Sequence, residues 1–244
     1  MILNTYRLFS SGLRFCHWIW ALCIVVLFFT GLYIGNPMFI GTQGKEPAVA
    51  IASLLSMETI RQVHFLTAFI LCACLLLRVY LFFTYRGNRL FPDFSSRGYW
   101  RGISEMLAYY SLLRTQHRLY MRNPLAATVY VMVYILMFLE AVTGLAMYSM
   151  IRPNSLLATV FGPVNHLLGN EYTTHFVHHV IAWSFVVFLL THIYMVVFND
   201  ITEKSGELSS IVSGRKQFPE TPVDAKDFLP ESAIICKPRE AIKK

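Results

Sequence analysis

Charge is what this sequence has least of. Only 14% of its 244 residues are Asp, Glu, Lys or Arg, against about 25% in a soluble domain, and 55% are hydrophobic. That balance argues against an ordinary soluble enzyme. It also excludes disorder over most of the chain, because so much apolar surface has to be buried. Cysteine is sparse and unpatterned. Cys16, Cys23, Cys72 and Cys74 lie in apolar stretches and Cys236 near the C-terminus. No C-x-x-C or C-x-x-C-H occurs, so covalent c-type heme and a four-cysteine zinc site have no support, and small core hydrophobes are the natural reading. A cleavable signal is not evident either. The first apolar run is too long for a signal core and lacks a small-residue cleavage site, so it is expected to stay as a membrane helix. No nucleophile–base–orienter set stands out, which speaks against catalysis by this chain alone. The net charge of +7 does not imply nucleic acid, because the excess sits beside apolar spans, where membrane topology accounts for it.

What the sequence does have is long apolar runs. Four stretches, 15–34, 63–85, 124–148 and 176–198, reach the roughly 20 residues that a hydrocarbon core demands. Helices are the reading, because an open strand cannot satisfy its backbone in lipid. Asn36-Pro37 ends the first, and Asn123-Pro124 opens the third with proline in the tolerated first turn. Of the 21 Lys and Arg, 17 fall in the N-terminus, the 2–3 loop and the C-terminal segment. Three (Lys45, Arg61, Arg152) fall in the other two loops, and Arg78 lies within helix 2. The positive-inside rule then places both termini in the cytoplasm. The fold expected is an all-α membrane protein, a four-transmembrane-helix bundle with N-in/C-in topology. Residues 99–113 in the 2–3 loop mix aromatic, apolar and charged residues and predict an interfacial helix on the cytoplasmic face. Residues 1–218 are read as the membrane domain and 219–244, polar with several prolines, as a mobile cytoplasmic tail.

The histidines carry the chemistry. His17 stands at the cytoplasmic start of helix 1, His64 at the outer start of helix 2, His178 at the outer start of helix 4 and His192 near its cytoplasmic end. His178 and His192 are 14 residues apart, about 40° short of four helical turns, so both imidazoles share one face ~21 Å apart along the axis. Each has one partner at its own depth: His17 for His192, and His64 for His178. Two stacked histidine pairs in a four-helix bundle suit two b-type hemes, each iron taking two axial imidazoles. The rival readings are helix–helix hydrogen bonding and zinc. Zinc wants four converging ligands, whereas these four form two distant pairs, and His175-x-x-His178-His179 is the only local cluster. His175 and His179 compete with His178 but lie about 100° and 140° off the face of His192. His117 and His166 fall in loops and read as solvated or supporting residues.

Arg78 follows His64 by the same 14 residues. It either pairs a heme propionate or snorkels to the interface, and Arg14, three residues before His17, has the same two readings. Thr30-Gly31-Leu32 and Thr143-Gly144-Leu145 recur near the outer ends of helices 1 and 3. Glycine there lets a helix or a flat macrocycle approach closely, and the recurrence points to a helix-pair duplication. Glu140, the one acid inside a span, could tune a heme, relay protons or bond a neighbouring helix.

Taken together, several motifs resemble the b-type cytochrome subunit of membrane-bound [NiFe] uptake hydrogenases. They are Arg14-Phe15-Cys16-His17-Trp18, Thr30-Gly31-Leu32-Tyr33-Ile34-Gly35, Ile60-Arg61-Gln62-Val63-His64-Phe65, Leu77-Arg78-Val79-Tyr80 and Gly87-Asn88-Arg89. Asn123-Pro124-Leu125-Ala126, Thr143-Gly144-Leu145-Ala146-Met147-Tyr148, and Gly169-Asn170 followed by His175-x-x-His178 and His192-Ile193-Tyr194 complete the set. The resemblance runs from about residue 14 to 218. Glu140, where the family usually has an apolar residue, the added His179 and a longer tail depart from it.

The resemblance implies a diheme, quinone-reactive electron-transfer subunit in the bacterial inner membrane. Its partners are the hydrogenase small (iron–sulfur) and large ([NiFe]) subunits. Electrons would reach the outer heme at His64/His178, pass to the inner heme at His17/His192 and reduce menaquinone or ubiquinone. Loops 36–59 and 149–174 would be the docking surface, and similarity to related diheme cytochromes nominates His192, Arg78 and Asn123 for the quinone. Two alternatives stand beside it: the cytochrome b subunit of a formate dehydrogenase-type complex, and a heme-free metal-binding membrane transporter or anchor.

Overall fold

A computed structural model gives the element order β1 (Asn4–Arg7), α1 (Ser11–Gly35), α2 (Met57–Thr84), α3 (Arg97–Tyr110), α4 (Pro124–Ile151), α5 (Leu156–Leu167), α6 (Glu171–Glu203), α7 (Glu207–Ser213), β2 (Arg215–Phe218) and β3 (Ile234–Cys236). The structure describes residues 4–35, 56–84, 92, 94–224 and 234–236. The Asn36-Pro37 stop, Lys45, most of the 36–59 loop, Arg86, the 87–89 motif and much of the segment after 224 lie outside the described residues.

Helices α1, α2, α4 and α6 are long and apolar enough to cross a membrane. Their outward residues match that use: Leu22, Phe29, Leu76, Phe83, Val187 and Leu190 are each more than 60% exposed, which only a lipid surround makes inexpensive. All four helices outrun the apolar stretches read from sequence, α4 by only its last three residues, to Ile151. α1 starts at Ser11, α2 at Met57, and α6 runs from Glu171 to Glu203. Hydropathy marks only the residues standing in hydrocarbon. The helix continues through its polar flanking turns until a cap relieves the terminal N–H and C=O groups. Those caps are visible. Asn123 accepts from the N–H groups of Leu125 and Ala126 just before Pro124. Asn170 accepts from Thr173 at the start of α6, and Lys204 turns left-handed (φ 50°) at its end.

The chain divides into two compact units, Phe15–Tyr80 and the remainder, Met1–Arg14 with Leu81–Lys244. The smaller unit is the helix pair α1/α2, where the Cys74 thiol lies 3.9 Å from the Cys16 carbonyl oxygen. In the larger unit α4 packs against α3, α5 and α6. α3 falls where the sequence predicts an interfacial helix. It buries Gly102, Glu105 and Met106 and leaves Trp100 and Leu107 exposed. Glu105 ties α3 to the strand-like run before α4. Its carboxylate accepts from the Arg118 backbone N–H and Nε at 2.8 Å each and from the Tyr120 hydroxyl at 3.3 Å. Burial pushes this carboxyl up, but the Arg118 bonds outweigh it and hold the group below the usual carboxylate range.

Two features were not foreseen. Within the 149–174 loop stands α5, whose Asn165 amide donates to the Ala146 carbonyl of α4 at 3.0 Å. The chain also forms a three-stranded antiparallel sheet in the order β2-β1-β3. Asn4 pairs with Phe218 and Arg7 with Arg215, while Thr5 pairs with Cys236. Tyr6, Leu8, Met121 and Phe218 make a small core beneath it. Residues assigned to the tail thus join the main body. Besides β3, the Asp224 carboxylate accepts from the N–H groups of Met121 (2.6 Å) and Arg122 (3.0 Å). Val223 N–H donates to the Leu119 carbonyl at 3.0 Å.

Candidate functional site

Of the four histidines singled out by depth, His17 and His64 stand on α1 and α2 and His178 and His192 on α6. Because α6 is unbroken from Glu171 to Glu203, the 14-residue interval between His178 and His192 keeps its helical meaning, and the two rings share one face. The pairing of His17 with His192 and of His64 with His178 would join residues of different units.

Within each helix pair the structure builds the same local arrangement. Nδ1 of His64 on α2 lies 2.8 Å from the Thr30 hydroxyl on α1. Nδ1 of His178 on α6 lies 3.0 Å from the Thr143 hydroxyl on α4. The residue after each threonine is glycine, and the imidazole rests against it. A Cβ on Gly31 would come within 3.4 Å of His64 Cε1, and one on Gly144 within 3.2 Å of His178 Cε1. The threonines are buried, Thr143 more deeply than Thr30. Sequence reasoning passed over these two threonines. The repeated Thr-Gly-Leu was noticed for its glycine, yet the signal for the threonines was in it too: each lies 34 or 35 residues before a histidine at matching depth.

Glu140 lies beside the second arrangement and has no counterpart in the first. Its Oε1 is 3.3 Å from Nε2 of His178, and its Oε2 is buried with no hydrogen-bond partner among the described residues.

The other nominated residues fall as follows. Arg78 is buried, at 3% exposure, so its side chain does not lie along a lipid-facing surface. Arg14 donates through Nη1 to the Val212 carbonyl and through Nη2 to the Ser11 hydroxyl at 3.1 Å, fastening the start of α1 to the last turn of α7. Asn123 spends its Oδ1 on the α4 cap and donates through Nδ2 to the Tyr110 hydroxyl at 2.8 Å. That hydroxyl donates to Asn199 at 3.2 Å. The His192 ring stacks on Phe188 (5.3 Å, 21°) and meets Tyr130 edge-on at 6.1 Å. The His17 ring is edge-on to Trp18 at 5.4 Å.

His117, read from sequence as a solvated or supporting loop residue, is an anchor. Its side chain is 8% exposed, and its Nε2 lies 3.3 Å from a Glu203 oxygen. The Glu203 bond holds its pKa above the ordinary 6.5 despite the opposing effect of burial. His175 and His179 stack along one stripe of α6 with ring centroids 4.4 Å apart. Among the described residues no group of three or more His, Cys, Asp or Glu gathers as a metal site needs.

The donor set fits heme iron. His64 and His178 each have Nδ1 engaged inside their own helix pair, so Nε2 is the edge that would meet iron, and the adjoining backbone is glycine. Comparison with known proteins agrees. The sequence profile of the prokaryotic cytochrome b561 family matches residues 8–214. The chain belongs to that family. Among its relatives is a "Probable Ni/Fe-hydrogenase B-type cytochrome subunit" of Cupriavidus necator, 35% identical over 222 residues that cover 86% of each chain. A protein of the same name from Rhizobium leguminosarum bv. viciae is 32% identical over 86% of this chain and 88% of its own. The "Probable Ni/Fe-hydrogenase 1 B-type cytochrome subunit" of Escherichia coli is 26% identical over 86% and 90%. As a member of the prokaryotic cytochrome b561 family with four membrane-length helices, the chain is a multi-pass membrane cytochrome of b type that transfers electrons.

Proposed function

We propose that the chain carries two b-type hemes and connects a Ni/Fe hydrogenase to the quinone pool of a bacterial inner membrane, with both termini in the cytoplasm. The observation that carries the heme reading is the repeated threonine–histidine–glycine arrangement at His64 and His178. By depth in the sequence, His64 pairs with His178 on one heme and His17 with His192 on the other. Bound heme supplies a one-electron Fe(III)/Fe(II) carrier.

This chain's own part is to hold the ligands. The α1/α2 pair presents His64 and the α4/α6 pair presents His178, each already oriented by its threonine. The unbroken α6 keeps His178 and His192 at ~21 Å of helix rise, a spacing suited to two separate carriers. Arg78, buried within α2, is the candidate for a propionate or a quinone carbonyl. His192 and Asn123 remain the other quinone candidates, Asn123 with one amide proton left after its bond to Tyr110. A pocket for that head group needs few polar donors in an apolar surround.

The relatives' names support a hydrogenase over a formate dehydrogenase as partner. Docking of its small subunit is proposed on the 149–174 segment, where Leu156, Val160 and Leu167 of α5 are exposed.

The deciding experiment is heme per polypeptide, by pyridine hemochrome, on the chain purified in mild detergent. About two b-type hemes per chain are expected. A value near one removes one of the two pairs, and a folded colourless chain removes the cytochrome reading.

A further inference from the structure

The two threonine–histidine bonds fix more than packing. The Thr30 hydroxyl oxygen lies 2.7 Å from the Val26 carbonyl oxygen and 3.2 Å from that of Leu27. Two oxygens this close repel unless a proton stands between them, and a carbonyl has none to give, so the single hydroxyl proton of Thr30 is directed into its own helix. Towards His64 the same oxygen can only accept, and at 2.8 Å it accepts from Nδ1. Nδ1 therefore holds the ring proton and Nε2 the lone pair.

Thr143 repeats each step. Its hydroxyl lies 2.9 Å from the Leu139 carbonyl, 3.1 Å from that of Glu140 and 3.0 Å from Nδ1 of His178. A half-turn of either ring about its outer bond would put a carbon where Nδ1 stands and forfeit the bond. Glycine beside Cε1 leaves the room that this ring orientation uses, since a Cβ there would come within 3.4 Å of His64 and 3.2 Å of His178.

We propose that Thr30 and Thr143 are positioning residues for the axial histidines His64 and His178. Each fixes the Nδ1–H tautomer and the ring plane from within its own helix pair, so that the Nε2 lone pair is set for iron. This rests on the heme reading given above. Donation from Nδ1 to an acceptor makes an imidazole the more basic ligand and so favours the ferric state. Losing that acceptor favours the ferrous state and raises the midpoint potential.

The test uses the full chain with Thr30→Val and Thr143→Val, which replace the hydroxyl by a methyl of similar shape, and Thr30→Ser and Thr143→Ser, which keep it. Heme content, redox titration and low-temperature EPR are read on each. Each Val variant is expected to hold heme about 10–100-fold less tightly, or to raise one midpoint by about 59 mV for each tenfold loss of ferric preference. Its EPR g-values should shift as well. The Ser variants should match the wild type.

Val variants with wild-type heme content, midpoints and EPR overturn the proposal. Ser variants that behave like Val overturn it too, because shape rather than the hydroxyl would then be at work. His64→Ala and His178→Ala are measured alongside. Full heme in these sinks the ligand assignment itself, whereas loss of heme there with silent Val variants sinks only the threonine proposal. If a Val variant does not accumulate, pulsed EPR on the wild-type chain with 15N-histidine decides. A protonated, hydrogen-bonded remote nitrogen is expected, and a bare one overturns the proposal.

Discussion

Glu140 Oε1 stands 3.3 Å from Nε2 of His178, the ring edge by which an axial histidine binds iron. With the ring proton on Nδ1, Nε2 offers a lone pair, and a donating Glu140 carboxyl and iron would compete for it, while the other Glu140 oxygen is buried with no hydrogen-bond partner among the described residues. Glu140→Leu should therefore tighten heme retention at His178, and chain stability should hold or rise, because an unpartnered buried oxygen costs about 1–3 kcal/mol. Heme titration of the purified variant against the wild type, with a thermal melt, checks both. Weaker heme binding in the variant would mean that Glu140 supports the site.

The glycines predict a graded effect. A Cβ at position 144 would meet His178 at 3.2 Å and one at position 31 would meet His64 at 3.4 Å. The first is tight enough that the ring must give, at an overpacking cost of about 1–3 kcal/mol if it cannot, whereas the second is at the edge of ordinary contact. Gly144→Ala should disturb its heme more than Gly31→Ala, as lost heme or a shifted EPR signal. Equal and negligible effects would show that the rings move aside freely.

The two depths of the bundle can be separated by mutation. If the hemes pair as proposed, His17→Ala or His192→Ala should cost one heme per chain and stop quinone reduction, while hydrogenase-driven reduction of the other heme persists. The measurement is a reduced-minus-oxidised spectrum of the intact complex under H2, with quinone turnover followed in parallel. Loss of both hemes from one of these variants in a folded chain would contradict the pairing.

His117 gives a pH prediction. Its hydrogen bond with Glu203 holds its pKa above 6.5, with burial opposing and Glu105 adding to the rise. A histidine whose pKa is raised by folding contributes stability that is complete below its unfolded value and is lost as pH climbs through the raised one. The connection between α3 and α4 should therefore loosen on going from mildly acidic to alkaline pH, read by hydrogen exchange over residues 111–123. In Glu203→Gln the His117 pKa should fall, because its largest raising cause is removed while burial still opposes the charged form. An unchanged value in that variant would remove Glu203 as the cause.

The sequence determined a good deal about this protein by itself. Apolar runs of membrane length fixed four helices, because lipid leaves the backbone no other way to satisfy its polar groups. The Asn123-Pro124 start was legible because a capping side chain and proline suit the first turn for local reasons. The histidine intervals were legible because helical periodicity turns a count of residues into a face and a depth.

What escaped the sequence depends on residues far apart in the chain. The sheet joins β1 near residue 5 to β2 and β3 more than 200 residues later, and strands of four residues or fewer are too short to show an alternation. His117 looked solvated or supporting because its partner Glu203 lies at the far end of another helix. Thr30 and Thr143 looked like incidental neighbours of glycines until the fold set each hydroxyl against an imidazole on the next membrane helix. Local periodicity can state which face a residue occupies. Only tertiary structure decides which atom lies across from it, and a tautomer is fixed by that atom.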